Sequence, residues 1–294
     1  MTIAISLKVN DGLVLAADSA TTIITQDPGS GPSGVINVYN NANKIFNLAK
    51  GLPIGVVTWG AGSIGAASIS TLVKDLRALL SDPTKRDWGL DPVSYTIEDV
   101  ARKVRRFMYE ERYAPAFKEW PSKPTLGFIV AGYSSNEGLA EEYQVHITDN
   151  GKCGDPVPLR AKDESGVVWN GQVEAIYRLL VGFSPHLPSV LKANLGVPED
   201  QLEPALSVIR EALNIPLVIP PMPLQDAIDL ARFLVDLTIN YHRFTPGAPT
   251  VGGPIEIAAI SKHEGFRWIE RKYYYRRELN PEEQPWKSLA SQDD

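Results

Sequence analysis

Thr2 is the residue of this chain whose type and position could most directly do chemistry. A threonine hydroxyl is a weak nucleophile unless a base lies beside it. A threonine at a mature N-terminus carries that base, because its own α-amine has a pKa of about 8 and keeps a useful neutral fraction near pH 7. Removal of Met1 would create this arrangement, although a Met-Thr start alone says little. Other chemistries lack their residues. The chain holds no G-x-x-x-x-G-K-[ST] phosphate loop, no H-E-x-x-H helix and no G-x-S-x-G elbow. Gly60, Gly62 and Gly65 copy the G-x-G-x-x-G spacing, but no acidic residue closes a following strand as a dinucleotide site requires. His146, His186, His242 and His263 are dispersed and none has a second His or Cys at ligand spacing, so no metal is expected. Cys153 is the single cysteine, excludes an intrachain disulfide, and reads as an incidental loop thiol.

The elements that must position Thr2 begin at once. Ile3, Ile5, Leu7 and Val9 alternate with Ala4, Ser6 and Lys8; Asn10-Asp11-Gly12 supplies a turn; Leu13 to Ala17 is a short apolar run. This predicts a hairpin with one strand buried on both faces. Residues 26 to 41 are rich in Gly, Pro, Ser and Asn and read as a long surface excursion, followed by strands over Asn43 to Leu48 and Pro53 to Thr58. From Ser63 the period changes: Ile69, Leu72, Val73, Leu76 and Leu79 or Leu80 share a helical stripe that Ser81-Asp82-Pro83 ends.

A second helix is predicted over Ile97 to Tyr113, its Arg102, Lys103, Arg105 and Arg106 forming a solvated face. Strands follow near Thr125 to Tyr133 and Glu142 to Thr148, then a short strand into Asn170-Gly171 and a helix through Ile176 and Leu180. Residues 184 to 223 read as a helical and proline-rich insert with one convincing helix, Leu202 to Leu213. A long helix over Leu224 to His242, a closing hairpin (Pro254 to Ser261, Gly265 to Lys272) and a polar, flexible tail over 276 to 294 complete the chain. Strand blocks joined by tight turns and alternating with helix pairs predict an α+β domain of antiparallel sheets covered by helices, a single unit over 2 to 275.

Composition excludes several functions. Lys+Arg 29 against Asp+Glu 35 gives a net charge of -6, which supplies no broad basic field for nucleic acid. No apolar run reaches the roughly 18 residues of a membrane span; the greasiest segment, Leu213 to Leu224, is broken by four prolines. No basic region followed by an apolar core opens the chain, so a cytoplasmic address is expected.

Four segments carry a resemblance. Thr2-Ile3-Ala4-Ile5, then Asp11 to Thr22 (DGLVLAADSATT), then Asn43-Lys44-Ile45-Phe46, then Gly60 to Gly65 resemble in order the proteasome β-subunit family of N-terminal nucleophile hydrolases, over roughly the first 80 residues. The resemblance implies a four-layer αββα sandwich of two antiparallel sheets between helix pairs. It implies a threonine-type endopeptidase needing neither metal nor cofactor, acting on peptide or polypeptide substrates in a homo-oligomeric ring, and it admits an ATP-dependent unfoldase as partner. It also makes Thr2 the nucleophile, Asp18 and Lys44 its supports, and Gly62 the oxyanion donor. Thr22 would pair its backbone with an extended substrate, and Thr21, Gly60 and Ile64 would surround the specificity pocket.

The chemistry of these residues agrees. A Lys44 cation near Thr2 would lower the pKa of hydroxyl and amine, Asp18 would hold the lysine charged and oriented, and one oxyanion donor is worth about 3 kcal/mol of barrier. The chain also departs from the pattern. Trp169-Asn170-Gly171-Gln172 stands where a G-S-G turn would supply a serine, with Asn170 as its substitute. After the long helix, Tyr241 to Pro246 lacks the expected Asp and Ser, leaving Thr250 or Ser261 as vague replacements. The loop from Asp18 to Lys44 and the 184 to 223 insert are long, and would either line a channel or block ring packing. A catalytically inactive ring or scaffold subunit and a small-amide hydrolase remain the alternatives.

Overall fold

The computed structural model describes residues 2–27 and 31–273. β1 (Ile3–Val9) and β2 (Gly12–Ala17) form the expected hairpin, in register from Ala4 opposite Ala17 to Val9 opposite Gly12. The chain then makes a ribbon, β3 (Thr21–Asp27) against β4 (Gly31–Tyr39), where composition suggested an irregular excursion. The β-branched residues of Thr21-Thr22-Ile23-Ile24 and Val35-Ile36-Asn37-Val38 outweigh the turn formers between them.

β5 (Ile45–Asn47) and β6 (Ile54–Gly60) lead to a two-residue pair, β7 (Ser63–Ile64) with β8 (Ala67–Ser68). Only then does α1 (Ile69–Leu80) start, six residues past the predicted point, with Ser68 as N-cap accepting the Thr71 amide at 3.2 Å. α2 (Ile97–Arg105) is capped by Thr96, and the same helical run continues as a π-helix over Arg106–Tyr113 and ends in α3 (Ala114–Ala116).

β9 (Leu126–Gly132), β10 (Glu141–Ile147), β11 (Val157–Pro158) and β12 (Gly166–Gly171) precede α4 (Glu174–Leu180). The insert holds two helices, α5 (Leu187–Leu195) and α6 (Glu199–Leu213); α5 escaped the sequence reading because none of its residues is buried and it has no apolar stripe. α7 (Leu224–Phe244) and the hairpin β13 (Glu256–Ser261), β14 (Gly265–Glu270) follow. The polar tail read over 276 to 294 lies outside the described residues.

The strands form two five-stranded antiparallel sheets, ordered β12-β1-β2-β13-β14 and β11-β10-β9-β6-β5, giving a mixed α+β fold. Strand alternation sorts side chains among three apolar cores. Ile3, Ile5 and Leu7 pack with Ile176 of α4 and Ala231, Leu234 and Val235 of α7. Ala4, Leu13 and Leu15 meet Val57 and Ile129 of the other sheet. Val56 and Val130, on that sheet's far face, pack under Leu72 and Leu76 of α1 and Val100 and Val104 of α2. Each Val, Leu or Ile side chain among them, fully buried, contributes about 1.5–3 kcal/mol relative to exposure. Among the described residues no helix is long and apolar enough to cross a membrane.

β1 is paired on both edges, with β2 and with β12, and Thr2 stands immediately before it. The clamp on Thr2 depends on Gly171. At φ +98° this glycine lies so close that an added Cβ would fall 1.9 Å from the Thr2 carbonyl oxygen, which the Gln172 amide meets at 2.7 Å. Left-handed backbone and close approach act together there.

Gly171→Ala is therefore expected to cost about 3 kcal/mol or more, from strain and overpacking combined. Gly196→Ala, at φ +63° with nothing within 4 Å, should cost about 1 kcal/mol from backbone strain alone. Urea midpoints compared between the two variants check this; equal losses would refute the close-approach argument.

Candidate active site

Register carries Thr2 and Asp18 together. Asp18 follows β2, whose Ala17 lies opposite Ala4, so its carboxylate arrives beside the start of β1. Asp18 is fully buried and its oxygens are saturated: Oδ1 accepts the Lys44 Nζ at 2.6 Å and the Ile3 amide at 3.0 Å, while Oδ2 accepts the Ala20 amide at 3.0 Å and the Gly252 amide at 3.1 Å. Three N–H donors and one ammonium hold the carboxylate in place. Lys44 sits just ahead of β5 and is itself 5% exposed. Burial pushes its pKa below the ordinary lysine value of 10.5, and the Asp18 charge and hydrogen bond restore only part of the loss.

A second pair lies behind the first. The Glu256 carboxylate, at the start of β13, accepts the Lys272 Nζ at 2.9 Å and the Lys44 backbone amide at 3.4 Å. Lys272 also donates to the Ser19 hydroxyl at 2.6 Å and the Ala42 carbonyl at 2.7 Å, and the Ser19 hydroxyl donates in turn to the Pro254 carbonyl at 2.6 Å. Burial lowers the Lys272 pKa too, opposed mainly by Glu256. Two acids and two lysines therefore alternate in one buried row, which offsets part of the cost of enclosing each of them.

Thr2, 4% exposed, and Lys44 both line a cavity of about 290 Å³. Thr21, Gly60 and Gly62 line it too. Thr22 and Ile64 do not: Thr22 pairs with Val38 in the β3–β4 ribbon, and Ile64 is buried in the core beneath α1.

Gly62 is exposed, and no described residue accepts a hydrogen bond from its amide. Its flanks are tied, Ala61 N–H to the Thr125 carbonyl at 2.9 Å and Gly62 carbonyl to the Ile69 amide at 3.0 Å. The expected helix start behind Gly62 is corrected, since β7 and β8 intervene and one of the first amides of α1 is occupied by the Gly62 carbonyl.

Asn170 lies opposite Ala4, and cross-strand partners share a face, so it projects toward the inter-sheet side with Ala4. Its Nδ2 is buried without a hydrogen-bond partner among the described residues. Of the vague substitutes, Thr250 is buried in the segment that delivers the Gly252 amide to Asp18, whereas Ser261 accepts the Glu264 amide in the closing hairpin, within its own turn.

The sequence reading missed Glu256, Lys272 and His242. His242, near the end of α7, has a buried Nε2 with no described partner, and burial depresses its pKa while the Asp18 charge partly offsets that. It is therefore held neutral within reach of the site's field. A lone histidine in a polar helix end gave no signal. Glu256 and Lys272 read as ordinary ends of a β-hairpin.

No family model matches this chain, and no curated protein matches it. A solved structure that it resembles is the Anbu (Gly-1) mutant from Hyphomicrobium sp. strain MC1, at 17% sequence identity and TM-score 0.49, covering 92% of this chain and 86% of that one. A likeness of that size decides neither fold nor activity. With no family model and no curated protein matching, the resemblance to proteasome β-subunits, which rested on four short segments, is corrected: it does not stand as a family assignment.

Proposed function

We propose that this chain is a hydrolase of amide bonds, of the N-terminal nucleophile kind, with Thr2 as nucleophile once the bond preceding it is cut. The observation that carries the reading is the buried Lys44–Asp18 pair, 2.6 Å apart, with Lys44 and Thr2 lining one cavity. The layer order helix, sheet, sheet, helix supports an αββα sandwich as its frame. In the proposed reaction the free α-amine takes the Thr2 hydroxyl proton as Oγ attacks the substrate carbonyl. The Gly62 amide meets the oxyanion, and the ammonium returns the proton to the leaving nitrogen, leaving an ester on Thr2. Water, deprotonated by the same amine, then releases the acid.

Lys44 lowers the pKa of hydroxyl and amine by its charge, and Asn170, with an unpartnered amide group on the inter-sheet side, orients the amine. The open cleft beside the β3–β4 ribbon suits an extended peptide, so the activity is read as a threonine-type endopeptidase. A scaffold subunit without activity is the rival from a different class.

Intact mass should show a chain starting at Thr2, and that chain should react with an electrophile directed to N-terminal threonine. Thr2→Ala should abolish labelling and lower kcat/KM on denatured protein by at least about 10³-fold with the melting temperature retained. Residues still attached ahead of Thr2, with no labelling, would hand the assignment to the scaffold. Hydrolysis of one small amide without cleavage of denatured protein would make it an amidase.

The rate should be bell-shaped in pH. Its acidic limb follows loss of the amine's proton. Its basic limb follows loss of the Lys44 charge and, because burial lowers the Lys44 pKa, falls below 10.5. Lys44→Arg, which keeps the charge at all accessible pH, should move the basic limb upward; Lys44→Met should lower kcat about 10²-fold or more at every pH. A basic limb unchanged in Lys44→Arg would exclude lysine as its source.

A further inference from the structure

A second cavity, of about 560 Å³, shares Asn41 and Asn43 with the Thr2 cleft, so the two are separated by the short segment that leads into Lys44. Four cations line it: Lys74 and Arg77, one turn apart on α1, and Arg271 and Lys272 just past β14. Glu256 is the acid in its lining, and its carboxylate is engaged by Lys272 and the Lys44 amide.

Lys74, Arg77 and Arg271 have no ion-pair partner among the described residues. Arg271 is nonetheless held in place, its guanidinium 4.8 Å from the Trp268 ring and 5.2 Å from the Tyr273 ring. Arg77 is half-buried and its pKa falls, first from burial and then from the Arg271 charge nearby. Two planar guanidinium groups, one stacked and one half-buried, converge on a space large enough for a ligand, and neither is neutralised by a described side chain. Guanidinium forks match carboxylates with two parallel hydrogen bonds. In a chain of net charge -6 this is a local reversal of sign, confined by salt to about 8 Å.

We infer that this cavity is a binding site for carboxylate side chains of an acidic peptide, held so that an adjoining segment of the same peptide enters the Thr2 cleft. The inference rests on the hydrolytic reading for the second half of that statement and on the cavity alone for the first. Asn47 lines the same cavity and keeps a buried amide oxygen without a described partner, which offers an acceptor to a peptide N–H.

The test separates binding from catalysis. Fluorescein-labelled pentaglutamate and pentaglutamine are titrated against the full Thr2→Ala chain by anisotropy, in low and in physiological salt. Pentaglutamate should bind at least tenfold more tightly, weaken with salt, and lose tenfold or more in Arg77→Gln/Arg271→Gln. Lys118→Gln/Lys192→Gln, which removes two exposed lysines elsewhere, should leave it unchanged. Should the double arginine variant fail to fold, Lys74→Gln, at an exposed position, should still weaken binding about threefold.

Equal binding of the two peptides, or equal loss in the surface control, overturns the proposal. So does displacement by inorganic phosphate of a probe other than the acidic peptide, with pentaglutamate itself not bound. With Thr2 restored, the arginine variant should lower kcat/KM about tenfold for an acidic substrate and leave a neutral one unchanged. Absence of all hydrolysis alongside retained pentaglutamate binding would sink the enzymatic reading and keep the site.

Discussion

The Asp18 carboxylate is the constraint from which the site follows. A fully enclosed anion is tolerable only when every lone pair is met, and here the partners come from β1, the turn after β2, the segment before β5 and the loop before β13. Satisfying that one group draws three separate pieces of chain, around Ile3, Lys44 and Gly252, to the turn that holds Asp18, and Thr2 is carried there as the neighbour of Ile3. The arrangement is stiff. Moving any one piece leaves a buried charge short of a donor, a loss of several kcal/mol when an ion-pair partner goes.

The same constraint explains why two lysines share that buried row. Burial lowers the Lys44 pKa, and Asp18 beside it and Glu256 behind it offset part of that fall. Lys272 neutralises Glu256 in turn. The electrostatic character proposed for the cleft is thus a property of the alternating row, and the unneutralised cations of the adjoining cavity lie where that row ends.

Legibility in the sequence tracked separation along the chain. Thr2 and Asp18 are brought together by the tight β1–β2 hairpin, which alternation predicts, whereas Lys44, 26 residues beyond Asp18 and past the β3–β4 ribbon, was named only through the resemblance of its segment. Glu256 contacts Lys44 across 212 residues and Lys272 contacts Ser19 across 253, and no local pattern announces such pairs. The start of α1 was misplaced because Gly62 to Ser68 has no period of its own, and α5 was missed for want of a buried face. The β3–β4 ribbon was hidden by turn-forming residues at its middle. The family resemblance went furthest beyond its support, since four short segments report local backbone geometry and leave the later elements unconstrained.

Lys272 has a consequence in time. Synthesis delivers Thr2 first, whereas the ammonium that seats Glu256, and the Gly252 amide that completes Asp18, emerge with the last strands. A ribosome-bound fragment therefore possesses the hydroxyl without its finished surroundings, and contacts of such long sequence separation form slowly. The Asp18 carboxylate and the Glu256 pair therefore gain their full sets of donors only after translation has passed the closing hairpin.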